Sequence, residues 1–565
     1  MFTRRTFLQT VAAAGMAHAA APREALREFS HADVILTGGP LKQQYDWVHA
    51  HFLSLDNDRL LKVYRQRAGL PAPGDDMGGW YDADGFVPGH TIGQYISGLS
   101  RMYATTRDAA TLAKVKQLVA GYAATLGENG YPFASEKAAV TWPCYILDKY
   151  VIGMLDASRL AGVSAGRELL PRIIRGAIPH IPDHTYDRGP DSPKQAPYDE
   201  PYILPENLFN SYELTGDRQF LDMARLYLLN QEYFDPLAQG RNLLPGKHAY
   251  SHVIALSSAA KAYEVLGDAK YLNAIRNAWD MLEETQQFAS GGWGPKEAFV
   301  PPHEGKLGDM LTATREHFET PCGCYAHMKL ARYLLRFTGE PRYGDGLERV
   351  LYNTILGSIE PTNNGDYFYY SDYQAGAHKG YYKKKWPCCS GTLVQGVADY
   401  ATSIYFHDSG GVYVNLFTPS EVRWKNIRLI QSTQYPHADS VHFRVDTPKA
   451  AEFALHLRIP AWLSGAASLS VNGKSVDIAA EPNTFATVRR RWNPNDTLEM
   501  KLPWRDRTQA IDDRHPETVA LMRGPLMMVA IDPPAGTPEL TAPGLRLEPF
   551  YAVRSQTYTT YFRKS

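Results

Sequence analysis

The stretch Tyr263-Glu264-Val265-Leu266-Gly267-Asp268, followed by Tyr271-Leu272, carries the pattern that decides the fold. An apolar helix ends at Gly267, which suits the left-handed residue that closes a helix, and Asp268 opens the next helix near its positive end. The same order of residue types recurs roughly every 50 residues. The other copies begin at Met102, Tyr212 and Leu335, with a looser one at Leu160-Ala161-Gly162.

Five or six antiparallel helix pairs of this period predict a mainly α (α/α)6 toroid barrel over residues 22–405. An open helical solenoid is the alternative, but solenoids seldom carry long Gly- and Pro-rich loops between their helix pairs. A toroid has a central well lined by loops at one end, and a functional site is expected there.

After about residue 405 the apolar residues recur with a period of two, which is the spacing of strands. Val412–Phe417 and Val441–Val445 alternate or run as short strands. Asn472-Gly473 lies between two such runs and predicts a two-residue hairpin turn. Residues 406–565 are therefore predicted to form an all-β sandwich, which we interpret as an accessory region for packing or for contact with sugar.

Residues 1–21 have the pattern of an export signal. Arg4-Arg5-Thr6-Phe7-Leu8 is a twin-arginine signature, and an apolar run and the small residues Ala-His-Ala-Ala follow it. An uncleaved N-terminal anchor is the alternative interpretation. No other run is long and apolar enough to span a membrane, so we expect a periplasmic or secreted product without stable membrane insertion after signal cleavage.

The composition indicates one class of partner and excludes another. Aromatic residues make up 12% of the chain, with 35 Tyr and 10 Trp, and aromatic faces stack on the C–H-rich surfaces of sugars. The formal net charge of −1 argues against a nucleic-acid partner, which a strongly basic surface would favour.

Four of the five cysteines lie close together in sequence, as Cys322-Gly323-Cys324 and the adjacent pair Cys388-Cys389. Adjacent cysteines scarcely bridge each other, because disulfide geometry requires separated Cα atoms. Two thiol groups about 65 residues apart, with Glu319 beside the first, supply the sulfur and oxygen ligands of a tetrahedral Zn2+ site. The alternative is that they are buried structural thiols.

Glu297 lies in the Gly-rich loop Gly291–Phe299, a placement typical of a residue that faces a ligand. Cleavage of a glycosidic bond needs an acid to protonate the leaving oxygen and a nucleophile or base opposite it. Cys388 or Cys389 has the chemistry of a nucleophile, because metal coordination keeps a thiolate deprotonated at neutral pH. The other interpretation of Glu297 is an ordinary solvated loop residue.

A series of motifs runs in order through nearly all of the chain after residue 21. They are Leu53–Leu61, Ala68–Pro71, Gly78–Trp80, Gly89–Tyr95, His248-Ala249, Gly294–Phe299, Glu348–Asn353, Cys388-Cys389, Leu457–Trp462 and Arg523–Leu526. Together they resemble the β-L-arabinofuranosidases of glycoside hydrolase families 127 and 146. The resemblance implies an (α/α)6 catalytic barrel with β-sandwich domains, and a retaining mechanism that uses a zinc-bound cysteine nucleophile.

Carried over by position, the resemblance also implies roles for single residues. Cys388 corresponds to the nucleophile and Glu297 to the acid/base. The zinc ligands implied by it are Glu319, Cys322, Cys388 and Cys389. The sugar-binding residues implied by it are Trp80, His90, His248, His252 and Glu348. The expected substrate is an oligosaccharide or glycoside of plant type that releases β-L-arabinofuranose or a related sugar.

The chain departs from the family pattern at three places. Glu319 lies three residues before Cys322, whereas the family has its ligand glutamate two residues before the cysteine. Either the loop bulges and Glu319 still binds the metal, which we favour, or Cys324 completes the site. Two pocket histidines of the family are not evident around Trp142–Asp148 and Pro205–Asn207, which favours a changed substrate.

Two other functions remain open from the sequence. One is a non-catalytic carbohydrate-binding protein on the same scaffold, in which zinc is purely structural. The other is a different (α/α)6 sugar hydrolase or lyase that uses carboxylates alone, although such an enzyme has no need of four clustered cysteines.

Overall fold

The structure is a computed structural model that describes residues 24–188, 199–315, 317–533 and 535–564. The predicted export signal, residues 1–21, lies outside the described residues. Across the described ranges, no helix combines the length and the apolar character that a membrane span requires.

Helices make up the part of the chain before residue 405. They are α1 (Gly39–Ser54), α2 (Asn57–Arg67), α3 (Ile92–Thr106), α4 (Ala109–Ala124), α5 (Glu136–Thr141), α6 (Pro143–Arg159), α7 (Ala165–Ala177), α8 (Pro205–Thr215), α9 (Arg218–Tyr227), α10 (Asp235–Ala238), α11 (Ala249–Leu266), α12 (Ala269–Thr285), α13 (Lys306–Ala313), α14 (Pro321–Thr338), α15 (Arg342–Val350), α16 (Cys389–Ala398) and α17 (Tyr400–Ile404). Single wider turns of π-helix lie at Asn230–Phe234 and Leu351–Ile355.

Six of these helices form a closed inner ring. They follow one another in the order α3, α6, α8, α11, α14 and α16, and α16 packs back against α3. An outer ring of α1, α4, α7, α9, α12 and α15 surrounds them, each packed on an inner helix. All ten residues of α16 are buried, as expected of a helix enclosed on every side. The predicted (α/α)6 toroid barrel is therefore confirmed.

The repeated turns have the backbone that their residues favour. Gly216, Gly267 and Gly339 follow inner helices α8, α11 and α14 directly, with φ of 76°, 75° and 70°. Asp217 and Asp268 then accept hydrogen bonds from the first backbone N–H groups of α9 and α12. The turns at Gly216 and Gly267 thus close an inner helix and open its outer partner within two residues, and the turn at Gly339 does so within three.

The inner helices α3 and α6 approach each other closely at glycines. A Cβ atom at Gly93 would lie 1.8 Å from the carbonyl oxygen of Lys149, and one at Gly153 would lie 2.6 Å from the carbonyl oxygen of Gly93. Only glycine permits this spacing. The close contact sets the width of the ring next to Trp142 and Tyr145, which lie at the start of α6.

Strands make up the part of the chain after Ile404, with two short ones near the beginning. They are β1 (Arg27–Glu28), β2 (Val34–Leu36), β3 (Tyr405–His407), β4 (Gly411–Val414), β5 (Ser420–Trp424), β6 (Ile427–Thr433), β7 (Ser440–Asp446), β8 (Ala451–Ile459), β9 (Ser468–Val471), β10 (Lys474–Ser475), β11 (Thr484–Trp492), β12 (Thr497–Lys501), β13 (Asp506–Ala510), β14 (Thr518–Arg523), β15 (Leu526–Ile531), β16 (Arg546–Pro549), β17 (Tyr558–Thr559) and β18 (Tyr561–Arg563).

These strands form three sheets. The first two, in the orders β1-β3-β4-β8-β11 and β10-β9-β12-β7-β6-β5-β2, form the predicted sandwich, which is confirmed as a fold class, although the strands after Lys501 belong to a separate third sheet. β1 and β2 each occupy an edge of one sheet, so the segment Arg27–Leu36 is joined to both sheets. The hairpin predicted at Asn472-Gly473 joins β9 and β10, with φ of 52° and 75° at the two residues.

The third sheet contains β13–β18 and supports the loops of the helical ring. Its apolar side chains, among them Met527 and Tyr558, share a separate core with Phe288, Phe318 and Tyr373. Phe288 lies in the loop before α13, Phe318 in the loop before α14, and Tyr373 in the loop before α16. The third sheet therefore holds in place the loops that carry Glu297, Glu319 and the cysteine pair.

Candidate active site

A pocket opens at the end of the ring where the inner helices α6, α11, α14 and α16 begin. Its aromatic lining consists of Trp80, Phe86, Trp142, Tyr145, Tyr250, Trp293 and Tyr369. Its charged and nucleophilic lining consists of Arg188, Glu200, His248, Glu297, Cys322 and Cys388. Aromatic walls with a few convergent polar groups are typical of a small-molecule site.

Three cysteines meet at the bottom of this pocket. The Sγ atom of Cys322 lies 3.4 Å from that of Cys388 and 2.9 Å from that of Cys389. Cys322 lies in the first turn of α14 and Cys389 is the first residue of α16, so both cysteine motifs lie at the N-termini of neighbouring inner helices. The positive ends of the two helices favour thiolates at this position.

Cys388 is the exposed member of the group. Cys322 and Cys388 both line the pocket, but Cys322 is buried, as is Cys389, whereas Cys388 is partly exposed. Hydrogen bonds from Cys322 and Cys389 lower the pKa of the Cys388 thiol well below its usual range, although burial opposes them. Cys388 is therefore the sulfur that a pocket ligand can reach.

The same three sulfurs fit a metal ion. Their Sγ atoms all lie within 4.8 Å of one another. Zinc binds thiolate sulfur at about 2.3 Å, so a single ion can contact three sulfurs at this separation. Within the described residues, this is the one cluster of His, Cys, Asp or Glu side chains close enough to hold a metal.

Glu319 and Cys324 lie outside this cluster. The Oε2 atom of Glu319 accepts a hydrogen bond of 2.6 Å from Ser290, and its Oε1 atom accepts one from Tyr373. Burial raises the pKa of Glu319 to about 7 in spite of these bonds. Thr320 lines the pocket in extended backbone, where neighbouring side chains point to opposite sides, so Glu319 faces away from the pocket.

Glu297 is held by three side chains at the pocket wall. Its Oε1 atom accepts hydrogen bonds from Tyr369, at 2.9 Å, and from Tyr370, and its Oε2 atom lies 3.2 Å from Nε2 of His248. Lys296 and Glu297 have φ of 54° and 63°, which is costly for residues with a Cβ atom and is common at functional sites. The loop thus fixes the position of this carboxylate.

These contacts determine the charge of Glu297. Burial raises the pKa of its carboxyl group, but the hydrogen bond and charge of His248, with the hydrogen bonds of Tyr370 and Tyr369, lower it to about 2. Tyr369 also connects the carboxylate to the sulfur group, because its hydroxyl oxygen lies 3.7 Å from Sγ of Cys388. Glu297 and Cys388 therefore flank one hydroxyl group on the same wall.

The other predicted sugar-binding residues of the ring divide into two groups. Trp80 and His248 line the pocket. His90 is fully buried behind the wall, with Nδ1 2.6 Å from the carbonyl oxygen of Val87. His252 is also fully buried, and its Nε2 atom lies 2.8 Å from Oδ1 of Asp187. The structure therefore brings Trp80 and His248, but not His90 or His252, to the pocket surface.

Glu348 lies away from the pocket, at the interface between the helical ring and the sandwich. It accepts hydrogen bonds of 2.7 Å from Arg458, 3.0 Å from Trp462 and 2.6 Å from Tyr435. Its position on outer helix α15 explains this, because that helix faces the sandwich. Asp345 on the same helix makes a second ion pair with Arg458.

We expect Glu348→Ala to destabilise the protein and to leave substrate affinity unchanged. Arg458 is fully buried, and removal of one of its two carboxylate partners leaves a poorly compensated charge, which costs about 3 kcal/mol of unfolding free energy. Urea denaturation measures the loss. Glu499→Ala, which removes an exposed pair with Lys501, is the control and should cost less than about 1 kcal/mol. An unchanged denaturation midpoint with a raised KM would instead make Glu348 a substrate ligand.

Several residues of the site were not identified from the sequence. Glu200 pairs with Arg188, and its Oε1 atom lies 3.6 Å from Nδ1 of His248. The Arg188 guanidinium lies over the ring of Trp142 at 5.3 Å. A sequence signal existed only for the tyrosines that bind Glu297, in the aromatic run Tyr367–Tyr370 between the two cysteine motifs.

Comparisons of this chain with known proteins all point to the same protein family. Residues 33–402 match the model of the β-L-arabinofuranosidase GH127 catalytic domain, and residues 411–504 match that of the GH127 middle domain. A non-reducing end β-L-arabinofuranosidase from Bifidobacterium longum is 24% identical over 347 residues, which cover 56% of this chain and 50% of that protein. The chain thus spans about half the length of the curated relative that it matches.

Two solved structures share the fold of the whole chain. A GH127 β-arabinofuranosidase superposes with a TM-score of 0.74 at 18% identity, over 96% of this chain and 98% of the other. A GH127 β-L-arabinofuranosidase from Geobacillus stearothermophilus T6 superposes with a TM-score of 0.70 at 17% identity, over 94% and 100% of the two chains.

Proposed function

Because this chain belongs to glycoside hydrolase family 127, we propose that it is an exported, retaining glycoside hydrolase that releases β-L-arabinofuranose or a related sugar from plant-type glycans. The observation that carries the proposal is the placement of Cys388 and Glu297. The partly exposed thiol and the carboxylate lie on one pocket wall, on either side of the Tyr369 hydroxyl group. Export rests on the twin-arginine signature in residues 1–21.

Cys322, Cys388 and Cys389 are the residues that would hold zinc. A zinc ion bound by these sulfurs would keep them deprotonated at neutral pH. The N-termini of α14 and α16 act in the same direction, since their positive ends favour negative charge on sulfur. In this proposal Cys389 and Cys322 are buried ligands, and Cys388 faces the substrate as a thiolate.

The reaction has two steps. In the first, Sγ of Cys388 forms a bond to the anomeric carbon, the bond from that carbon to the leaving oxygen breaks, and Glu297 gives its proton to the leaving oxygen. In the second, Glu297 takes a proton from water, the water oxygen bonds to the anomeric carbon, and Cys388 leaves as a thiolate. Each step inverts the anomeric carbon, so the overall result is retention.

His248 and the two tyrosines have different effects on the two steps. By lowering the pKa of Glu297, they favour its carboxylate form, which is the base that the second step requires. The first step requires the protonated form. The 3.2 Å contact between Nε2 of His248 and Oε2 of Glu297 gives the carboxylate a partner with which it can share the proton of the first step.

We expect His248→Ala to shift the basic limb of the pH profile of kcat/KM to higher pH. His248 lowers the pKa of Glu297, so its removal raises that pKa, and Glu297 then keeps the proton for the first step up to a higher pH. The measurement is the pH dependence of hydrolysis of an aryl glycoside. His303→Ala, which changes an exposed histidine outside the pocket, is the control. A basic limb that stays in place or moves to lower pH contradicts the role given to His248.

The proposed function is tested by a screen of aryl glycosides and plant-wall oligosaccharides, with zinc content measured on the same sample. We expect hydrolysis of an aryl β-L-arabinofuranoside, a product whose anomeric configuration is retained by NMR, and about one zinc per chain. Binding of saccharides without turnover would instead make the chain a carbohydrate-binding protein. Turnover that survives complete removal of zinc would favour chemistry by carboxylates alone.

A further inference from the structure

One aromatic ring at the mouth of the pocket is unusually open to solvent. Phe86 is 46% exposed. The other large apolar side chains exposed to a similar extent, among the residues that the structure describes, are Leu70, Val140, Ile178 and Tyr381. None of these four lines the pocket, whereas Phe86 does. Ligand pockets are lined predominantly by apolar and aromatic side chains, so the position of Phe86 in the lining makes its open face available to a ligand.

A continuous row of rings leads from Phe86 to the candidate nucleophile. The Phe86 ring lies 4.7 Å from that of Trp80, measured between centroids, and the Trp80 ring lies 6.1 Å from that of Tyr369. The hydroxyl group of Tyr369 is the one next to Cys388. A substrate whose reacting carbon lies at Cys388 would therefore extend its leaving group along Trp80 towards Phe86.

Trp80 adds an unused hydrogen-bond donor to this row. Its indole Nε1 atom is buried and has no hydrogen-bond partner within the described part of the chain. A buried N–H group without a partner costs free energy, and because Trp80 lines the pocket, a ligand oxygen that reached this N–H would recover that cost. The row thus combines an apolar face at Phe86 with a polar donor at Trp80.

The charges around the pocket favour a neutral ligand. Arg188 is the Lys or Arg residue among the described residues of the lining, and it is paired with Glu200, while Glu297 is a second carboxylate, so an anionic ligand would meet no unpaired cation there. A sugar ring matches this surface, because it has a C–H face for Phe86 and hydroxyl groups for the Trp80 N–H. A purely apolar leaving group would leave that N–H without a partner.

We propose that Phe86 and Trp80 form a binding subsite for the leaving-group half of the substrate, and that this half is a neutral sugar ring stacked on Phe86. The inference rests on the proposed function, because it takes Cys388 as the position of the reacting carbon. It adds a specificity-determining residue, Phe86, that acts on the leaving group rather than on the released sugar.

The test measures binding without turnover. The dissociation constants of methyl β-L-arabinofuranoside and of a β-linked L-arabinofuranosyl disaccharide are measured by calorimetry on the full chain carrying Glu297→Gln. We expect Phe86→Ala, added to that protein, to weaken disaccharide binding about tenfold and to change methyl glycoside binding by less than about twofold. Phe86→Tyr, which keeps the ring, should retain the affinity for the disaccharide.

Tyr381→Ala is the matched control, because this ring is 45% exposed and lies outside the pocket lining. It should leave both dissociation constants unchanged. Equal effects of Phe86→Ala on the two probes, or no effect on either, overturn the inference, as does the absence of binding at millimolar concentration. If Phe86→Ala weakens only the disaccharide but the protein with Glu297 intact hydrolyses no glycoside, the proposed function fails, and Phe86 is a contact for the second sugar of a bound ligand and not for a leaving group.

Discussion

Cys388→Ser is expected to lower kcat/KM for an aryl arabinofuranoside by about 10⁴-fold or more, with the folded structure retained. The loss follows from the two roles that we propose for this sulfur. A serine hydroxyl is a far weaker nucleophile at neutral pH, and it is also a poor replacement for a soft ligand in a three-sulfur site. Circular dichroism and thermal denaturation establish that the variant is folded, and steady-state kinetics measures the loss.

Cys144→Ser is the control for this experiment. Cys144 is a buried free thiol that belongs neither to the sulfur group nor to the pocket lining, so its replacement should leave kcat/KM within a few-fold. The role of nucleophile is distinguished from the role of ligand by trapping the sugar in the wild-type protein. Fragmentation mass spectrometry of a rapidly quenched reaction should find the adduct on Cys388 and not on the adjacent Cys389. Undiminished turnover by folded Cys388→Ser would rule out the mechanism.

Glu297→Gln should produce the second-largest loss, and the loss should depend on the leaving group. Without a proton donor, kcat/KM for an alkyl or sugar leaving group should fall by about 10²- to 10⁴-fold. A leaving group as acidic as dinitrophenol needs no proton, so the first step should survive for that substrate. The second step then lacks its base, and the sugar should accumulate on Cys388. Pre-steady-state kinetics would record this as a burst of phenol followed by slow turnover.

Glu304→Gln is the matched control, because Glu304 is an exposed carboxylate in the chain segment just after Glu297 and lies outside the pocket lining. Its kinetics should equal those of the unsubstituted protein with every leaving group. If Glu297→Gln lost the same factor with dinitrophenol as with a sugar leaving group, Glu297 would be a binding or positioning residue and not the acid/base.

The fold was predictable wherever a few adjacent residues determine a backbone conformation. Gly267 with Asp268 ends one helix and opens the next, and Asn472 with Gly473 forms a hairpin, because each dipeptide adopts its turn whatever lies around it. The positions of β1 and β2 were not predictable in this way. Arg27–Glu28 is too short to show a period, and its partner is near residue 407, so only tertiary packing defines it as a strand.

The sequence predicted which cysteine sulfurs of the candidate site come together, but it predicted the positions of the carboxylates less well. The cysteines meet because both motifs lie at helix starts, and neighbouring inner helices start at the same end of the ring. Glu319 illustrates the limit. Pro321 begins α14, so Glu319 lies in the extended segment before the helix, and alternation along that segment turns its side chain towards Ser290 and away from the sulfurs. Sequence spacing does not define the face on which such a residue lies.

The pairing of the first strands with the sandwich has a consequence for synthesis on the ribosome. Val34 of β2 pairs with Val422 of β5, which is translated roughly 390 residues later. At about 5 to 20 residues per second, β2 waits about 20 to 80 s for its partner to emerge. The helical ring can assemble during this interval, but the pairing of β2 with the sheet forms only after residue 422 has been translated.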